Sequence, residues 1–153
     1  MGIEDLVARV AGIEDELGYV FKDRQLILQA LTHSTFAYEY QDETLENNQR
    51  LEYLGDSVLG MVVAEILFTR HAGASEGEMT QIRAHFVNKN FLALKAQDLQ
   101  LPRYLLLGKG EAKMGGDANF RNLCGALEAV IAAIYLDGGL DAARGFIRDR
   151  IVT

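Results

Sequence analysis

One cysteine, Cys124, stands among 153 residues, so no disulfide can form within the chain. That suits a reducing compartment, and a cytoplasmic location is expected. There is one proline, Pro102. No stretch of useful length alternates apolar and polar residues, so no sheet is expected. The N-terminus, MGIEDLVARV, has no basic segment leading into an apolar one and therefore no signal-peptide pattern. It also lacks the Ser or Thr of a myristoylation motif. The longest apolar run considered, Val58 to Phe68, is broken by Glu65, and no association with a membrane is expected. Repeats and low-complexity tracts are absent.

The net charge of −7 argues against a protein that coats nucleic acid non-specifically. The charge is unevenly spread. Residues 1–82 hold 15 acidic and 5 basic side chains, and residues 83–153 hold 7 and 10. An acidic half that gathers cations and a basic half that meets phosphate would produce this asymmetry. So would chance placement on a solvated surface.

What is present is helical periodicity. Ile3, Leu6, Val7, Val10, Ile13 and Leu17 form a stripe that ends at Gly18. A short helix is expected over 24–32, a polar loop over 36–48, and a long helix over 47–71 closed by Ala72 and Gly73. Ser75 with Glu78 makes a capping box for a helix over 76–98. Pro102 starts a short turn of helix, and the Gly-rich segment 108–119 reads as an exposed loop. Two final helices, 121–136 and 140–151, flank Asp137, Gly138 and Gly139.

The most informative segment is Arg50–Val58, RLEYLGDSV. On a helix Glu52 and Asp56 are four residues apart and project from one face. They lie beside an apolar stripe of Leu51, Leu54, Val58, Val62 and Ile66. Two carboxylates held there repel each other and lose hydration. A hard divalent cation bound by oxygen ligands would offset both costs. An acidic pair at this spacing is also the pattern of a solvated helix face. A third carboxylate, Glu128, is isolated in an apolar helix and needs a partner. Spacing allows an ion pair with Arg121 or a place beside Glu52 and Asp56.

Five blocks, in order, resemble the ribonuclease III family of double-stranded-RNA endonucleases between Leu17 and Asp149: ALTHST (30–35), RLEYLGDSV (50–58), SEGEMTQIRA (75–84), LLLGKGEAKMGG (105–116) and ALEAVIAAIYLDGG (126–139). The resemblance implies an all-α fold. It implies a homodimer about a two-fold axis, with an acidic cluster in each subunit facing a valley for one RNA duplex. It implies Mg2+, with Mn2+ as a possible substitute, activating water to cut each strand and leave short 3′ overhangs.

Carried over by position, Glu52, Asp56 and Glu128 are the expected catalytic and metal-binding acids. A fourth family acid would stand at Gly125, so one ligand is missing and weakened metal binding and cleavage are expected. Cys124 beside it is too soft a donor for magnesium. Gln49 replaces a common Glu and, with Glu76, is expected to face RNA. Tyr53 matches an aromatic that enters a cavity of the partner subunit. Thr32, His33 and Ser34 match a block that supports the fold, and Asp137 with its two glycines is expected to shape a turn. Typical members continue into a double-stranded-RNA-binding domain. The chain ends at Thr153, so a single endonuclease-like domain over 1–153 without that module is expected, with low and salt-sensitive RNA affinity. The alternative implied by the same resemblance is a dimeric, non-catalytic RNA-binding or scaffold protein whose metal site has decayed through Gly125.

Overall fold

Leu51, Val58, Leu59, Val62, Val63, Ile66 and Leu67 recur at helical spacing, and in the computed structural model, which describes residues 1–153, they are the buried face of one long helix, α5 (Gln49–Arg70). This face lies on α10 (Phe120–Arg150), whose residues Leu123 to Ile134 are all buried. A helix apolar on every side must be enclosed on every side. Here α5, α7 (Lys89–Asp98) and α3 (Arg24–Ala30) enclose it. The expected all-α architecture is present, and its only ladder-like contact is an isolated parallel bridge between Thr32 and Leu106.

Several boundaries differ from the sequence expectation. The first stripe is split into α1 (Ile3–Val10) and α2 (Ile13–Leu17). Part of the expected loop 36–48 is a helix, α4 (Ser34–Tyr40), packed by stacking of Phe36 on Tyr40. The helix expected over 76–98 is two, α6 (Glu76–Phe86) and α7. Asn88 makes the break, because its side chain caps the amides of Asn90 and Phe91. Ser75 caps α6 as expected, accepting from the Glu78 amide. Pro102 lies in α8 (Leu101–Tyr104). The segment 108–119 is not a plain loop: it holds α9 (Lys109–Lys113) and a single 3-10 turn, Gly116–Ala118.

The helix α10 spans both of the last two expected helices. At Gly139 the backbone has φ 86° and ψ 179°, outside the helical region, and only glycine takes up such a conformation without strain. By length and composition this helix is apolar enough to cross a bilayer, although Glu128 and Asp137 interrupt its apolar run. Two-thirds of its most apolar stretch (67%) is inside the core, which accounts for that composition.

Asp137 does more than shape a turn. Its carboxylate accepts from the Tyr19 hydroxyl (2.7 Å) and from the amides of Lys22 and Asp23 (both 2.9 Å), fastening the α2–α3 connection to α10. Burial raises its pKa, but these donors outweigh burial and hold it below the ordinary value. In the same connection the buried Glu14 accepts from the Phe21 amide and pairs with Arg24, each at 2.7 Å.

Candidate metal-dependent nuclease site

The site is made by a close helix crossing. A Cβ on Gly55 would lie 1.7 Å from the Glu128 carbonyl oxygen. Only the absence of a side chain lets α5 touch the backbone of α10 here. Glu52 and Asp56 flank Gly55 on α5, so the crossing brings them to Glu128. Asp56 is exposed, Glu52 half-buried and Glu128 buried.

Electrostatics express that proximity. Burial pushes the Glu128 carboxyl up to about 8, and the Asp56 carboxyl hydrogen-bonded to it and the nearby Glu52 charge add to the rise. Glu128 therefore lies close to the carboxylates of α5. Glu128 does not pair with Arg121, whose guanidinium forms no ion pair and lies over the Phe120 ring instead. Burial also raises Glu52; the Lys89 ammonium draws it partly back, and Asp56 raises it further. Cys124 is buried with its sulfur 3.7 Å from Glu128 Oε1. Burial, then the adjacent Glu128, pushes its thiol up to about 12, so it is a neutral neighbour and not a ligand.

Gly125 has a specific consequence. A Cβ there would be 2.7 Å from Glu52 Oε2 and 2.9 Å from Glu52 Cδ. The Glu52 carboxylate thus lies over the bare α-carbon, in space that a side chain at 125 would take. Asp56 and Glu128 face each other while Glu52 is folded onto Gly125, and no three His, Cys, Asp or Glu side chains converge at coordinating distance. The donors are nonetheless of one kind. They are carboxylate oxygens, one of them buried, and that set suits a hard divalent ion.

Beside Gly125 is a polar pocket of about 80 Å³ with no hydrophobic residue in its wall. His33, Asn48 and Asn122 are fixed parts of that wall. His33 Nδ1 accepts from the Thr35 amide, which leaves Nε2 to donate to Asn122 Oδ1 (3.1 Å). Asn122 Nδ2 in turn donates to Glu111 and to the Gly116 carbonyl. Asn48 donates to the Ala30 carbonyl. His33 is therefore a structural histidine, and this network joins α4, α9 and α10. Nothing in the sequence pointed to Asn122.

Gln49, the first residue of α5, lines this pocket and also a second groove of about 640 Å³. The larger groove runs between Gln29, Glu46, Leu51, Leu54 and Leu136, and Tyr53 stands at its rim with 81% of its surface exposed. Glu76 is apart from these residues. It is exposed on the first turn of α6 and lines a different groove with Phe68, Met79 and Arg83.

An all-helical fold with paired carboxylates at a helix crossing is the architecture of one class of nucleases, and comparison with known proteins agrees. Residues 23–153 match the ribonuclease-III-like family. Ribonuclease 3 of Oleidesulfovibrio alaskensis is 50% identical over 131 residues, 86% of this chain and 57% of that protein. Ribonuclease 3 of Symbiobacterium thermophilum is 48% identical over 139 residues, 91% and 58% respectively. The chain thus spans less than two-thirds of the length of these curated relatives. The nuclease domain of ribonuclease III from Campylobacter jejuni superposes with a TM-score of 0.85 at 38% identity, covering 93% of this chain and 95% of that one; structural flexibility is described there in a region involved in dimer formation. The chain belongs to the ribonuclease III family and has its nuclease-domain fold.

Proposed function

We propose that this chain is the catalytic unit of a divalent-metal-dependent endoribonuclease that cuts double-stranded RNA as a homodimer. The observation that carries this reading is the contact of Gly55 with the Glu128 backbone, which brings the α5 segment that carries Glu52 and Asp56 against Glu128 on α10. Those three carboxylates would hold Mg2+ or, in its place, Mn2+. The ion when bound supplies activation of a water and compensation of the charge that develops on the phosphate. Glu128, buried and protonated up to about pH 8, would have to release its proton to solvent in order to serve as a ligand. Asp56, exposed at the crossing, would be the carboxylate open to a bound duplex. Gln49 and Glu76 are the flanking residues that would meet the duplex.

The dimer is supported by the surface around Tyr53. A knob and a groove on one patch make it self-complementary, as a two-fold interface requires. Along α5 the exposed Tyr53, Met61 and Phe68 continue that apolar face. Gly125, in place of the fourth family acid, supports slower cleavage than in a four-carboxylate site.

The second reading, a non-catalytic RNA-binding or scaffold dimer, is favoured by one feature: Glu52 is folded onto Gly125 and three ligands do not converge. Duplex-RNA cleavage across a Mg2+ and Mn2+ titration separates the two. Cleavage that requires the ion and disappears in Glu128→Gln supports the enzyme. Binding of duplex RNA without cleavage at any ion concentration establishes the scaffold.

A further inference from the structure

The helix α6 carries Glu76 on its first turn, yet little holds it in place. None of its 11 residues is buried. Met79, Ile82 and Phe86 are partly buried against the core, and α6 packs mainly on α5. No ion pair involves it. A single hydrogen bond ties it to another helix: Arg83 Nε donates to the carbonyl of Gly60, in the middle of α5, at 3.1 Å. A helix with so little apolar burial is the kind of element that opens locally, so one polar tie has a large share in its position.

The tie depends on a glycine. A Cβ on Gly60 would be 2.5 Å from Arg83 Nη2 and 3.6 Å from Arg83 Cζ, and the third nearest atom is again Arg83's. The guanidinium thus lies across the bare α-carbon while its Nε reaches the carbonyl. Glu76, Thr80 and Arg83 follow each other at helical spacing and line one groove with Ala64 and Phe68 of α5. The tie and Glu76 are therefore on the same face of α6.

Resting on the reading that Glu76 meets an RNA duplex, we propose that Arg83 is a positioning residue. Through Gly60 it fixes the rotation and height of α6 on α5, and so the place from which Glu76 reaches the substrate. A carboxylate can only accept hydrogen bonds. On a duplex the 2′-hydroxyls donate and the phosphates do not, so a well-placed Glu76 favours RNA over DNA. The rival role for Arg83, a direct phosphate contact, would serve both duplexes alike.

Gly60→Ala separates these roles. It keeps the Arg83 charge but puts a methyl group where the guanidinium lies, and alanine is the better helix former, so α5 itself loses nothing. Hydrogen exchange read by mass spectrometry should show the amides of 79–86 exchanging roughly ten-fold faster in Gly60→Ala and in Arg83→Ala, the loss of one hydrogen bond from a charged donor, with α10 unchanged. In EDTA, the ratio of affinities for duplex RNA and duplex DNA of one sequence should fall several-fold in Gly60→Ala, Arg83→Ala and Glu76→Ala. Gly60→Ala combined with either of the others should lower it no further. Wild-type exchange in Gly60→Ala, or faster exchange with an unchanged ratio while Glu76→Ala lowers it, would overturn the positioning role alone. An Arg83→Ala loss of equal size on RNA and DNA would replace it with a phosphate contact. An unchanged ratio in Glu76→Ala would overturn the reading of Glu76 and the positioning role with it.

Discussion

The carbonyl oxygen of Glu128 occupies the place where residue 55 would carry its Cβ, 1.7 Å away. A backbone atom cannot yield as a flexible side chain can. Gly55 costs its helix roughly 1 kcal/mol of propensity relative to alanine, and in return two helices meet at backbone distance with carboxylates on both sides. The glycine of the RLEYLGDSV motif is thus a spacer that sets the separation of Asp56 from Glu128.

Gly55→Ala should therefore be among the most harmful single substitutions in the chain. Separating α5 from α10 disturbs the core as well as the site, and overpacking of this kind costs about 3 kcal/mol. A urea titration should show the midpoint fall with little change in slope. An unchanged midpoint would mean that the helices separate without loss and that the crossing is not a constraint.

The stability of the metal-free protein should fall as pH rises. Glu128 keeps its proton to about pH 8 in the folded chain, against an ordinary value of 4.5. Between those values the folded state holds more protons than the unfolded state, so raising pH favours unfolding. Thermal melts in EDTA should lose midpoint steadily from about pH 5 to pH 8, and Glu128→Gln should flatten that loss. Excess Mg2+ at pH 8 should restore the midpoint in the wild type. A wild-type profile as flat as that of Glu128→Gln would contradict a buried Glu128 carboxyl whose pKa is raised.

The long helix α5 could be read from the sequence because its apolar pattern has few interruptions, whereas α10 reads as two helices because Asp137, Gly138 and Gly139 have the composition of a break. The breaks between elements could not be read. Asn88 ends one helix and starts another while Phe86, Phe91 and Leu94 carry the apolar spacing straight through, so periodicity hides the junction. The helix α4 was hidden for the opposite reason, since Ser34–Tyr40 has no fully buried residue and so no apolar stripe. In the site, spacing identified Glu52 and Asp56 as a pair and Glu128 as an isolated carboxyl. Which partner Glu128 takes depends on the Gly55 crossing, a contact between residues 73 positions apart. The packing of Glu52 onto Gly125 and the uncommitted Arg121 exist only in three dimensions.

Asp137→Ala should destabilise the fold without touching the carboxylate cluster. It removes the acceptor for the Tyr19 hydroxyl and for two backbone amides. Hydrogen bonds to a charged group are worth about 1.5–3 kcal/mol each, but solvent replaces part of what the exposed amides lose, so a total near 3 kcal/mol is expected. Denaturant unfolding measures it. Loss of RNA cleavage with unchanged stability would place Asp137 in the site instead of the scaffold.

Tyr53→Ala should weaken the dimer. The exposed ring stands beside a groove that includes Leu51, Leu54 and Leu136. Deleting an aromatic from a packed site costs about 3–5 kcal/mol. Sedimentation velocity from nanomolar to micromolar concentration should show a wild-type dimer and a variant that dissociates at concentrations at least a hundred-fold higher. A monomeric wild type at micromolar concentration would rule out the interface.

Gly125→Asp should raise metal affinity and cleavage together. The new carboxyl lies one helical turn from Glu128 and adds oxygen donors to the cluster. Its Cβ meets only the end of the Glu52 side chain, a group that can rotate. Displaced from Gly125, Glu52 becomes free to turn toward Asp56 and Glu128, so one substitution adds a ligand and releases another. Gly125→Ala isolates the second effect, because it moves Glu52 without adding a donor. Calorimetric titration with Mn2+ should rank Asp tightest, followed by Ala and then the parent, and the Mg2+ concentration for half-maximal RNA cleavage should follow the same order. If the parent binds the ion as tightly as the Asp variant and cleaves fully at low Mg2+, three carboxylates suffice and the position is neutral. If Ala binds more weakly than the parent, the Glu52 conformation over Gly125 is itself the metal-binding one.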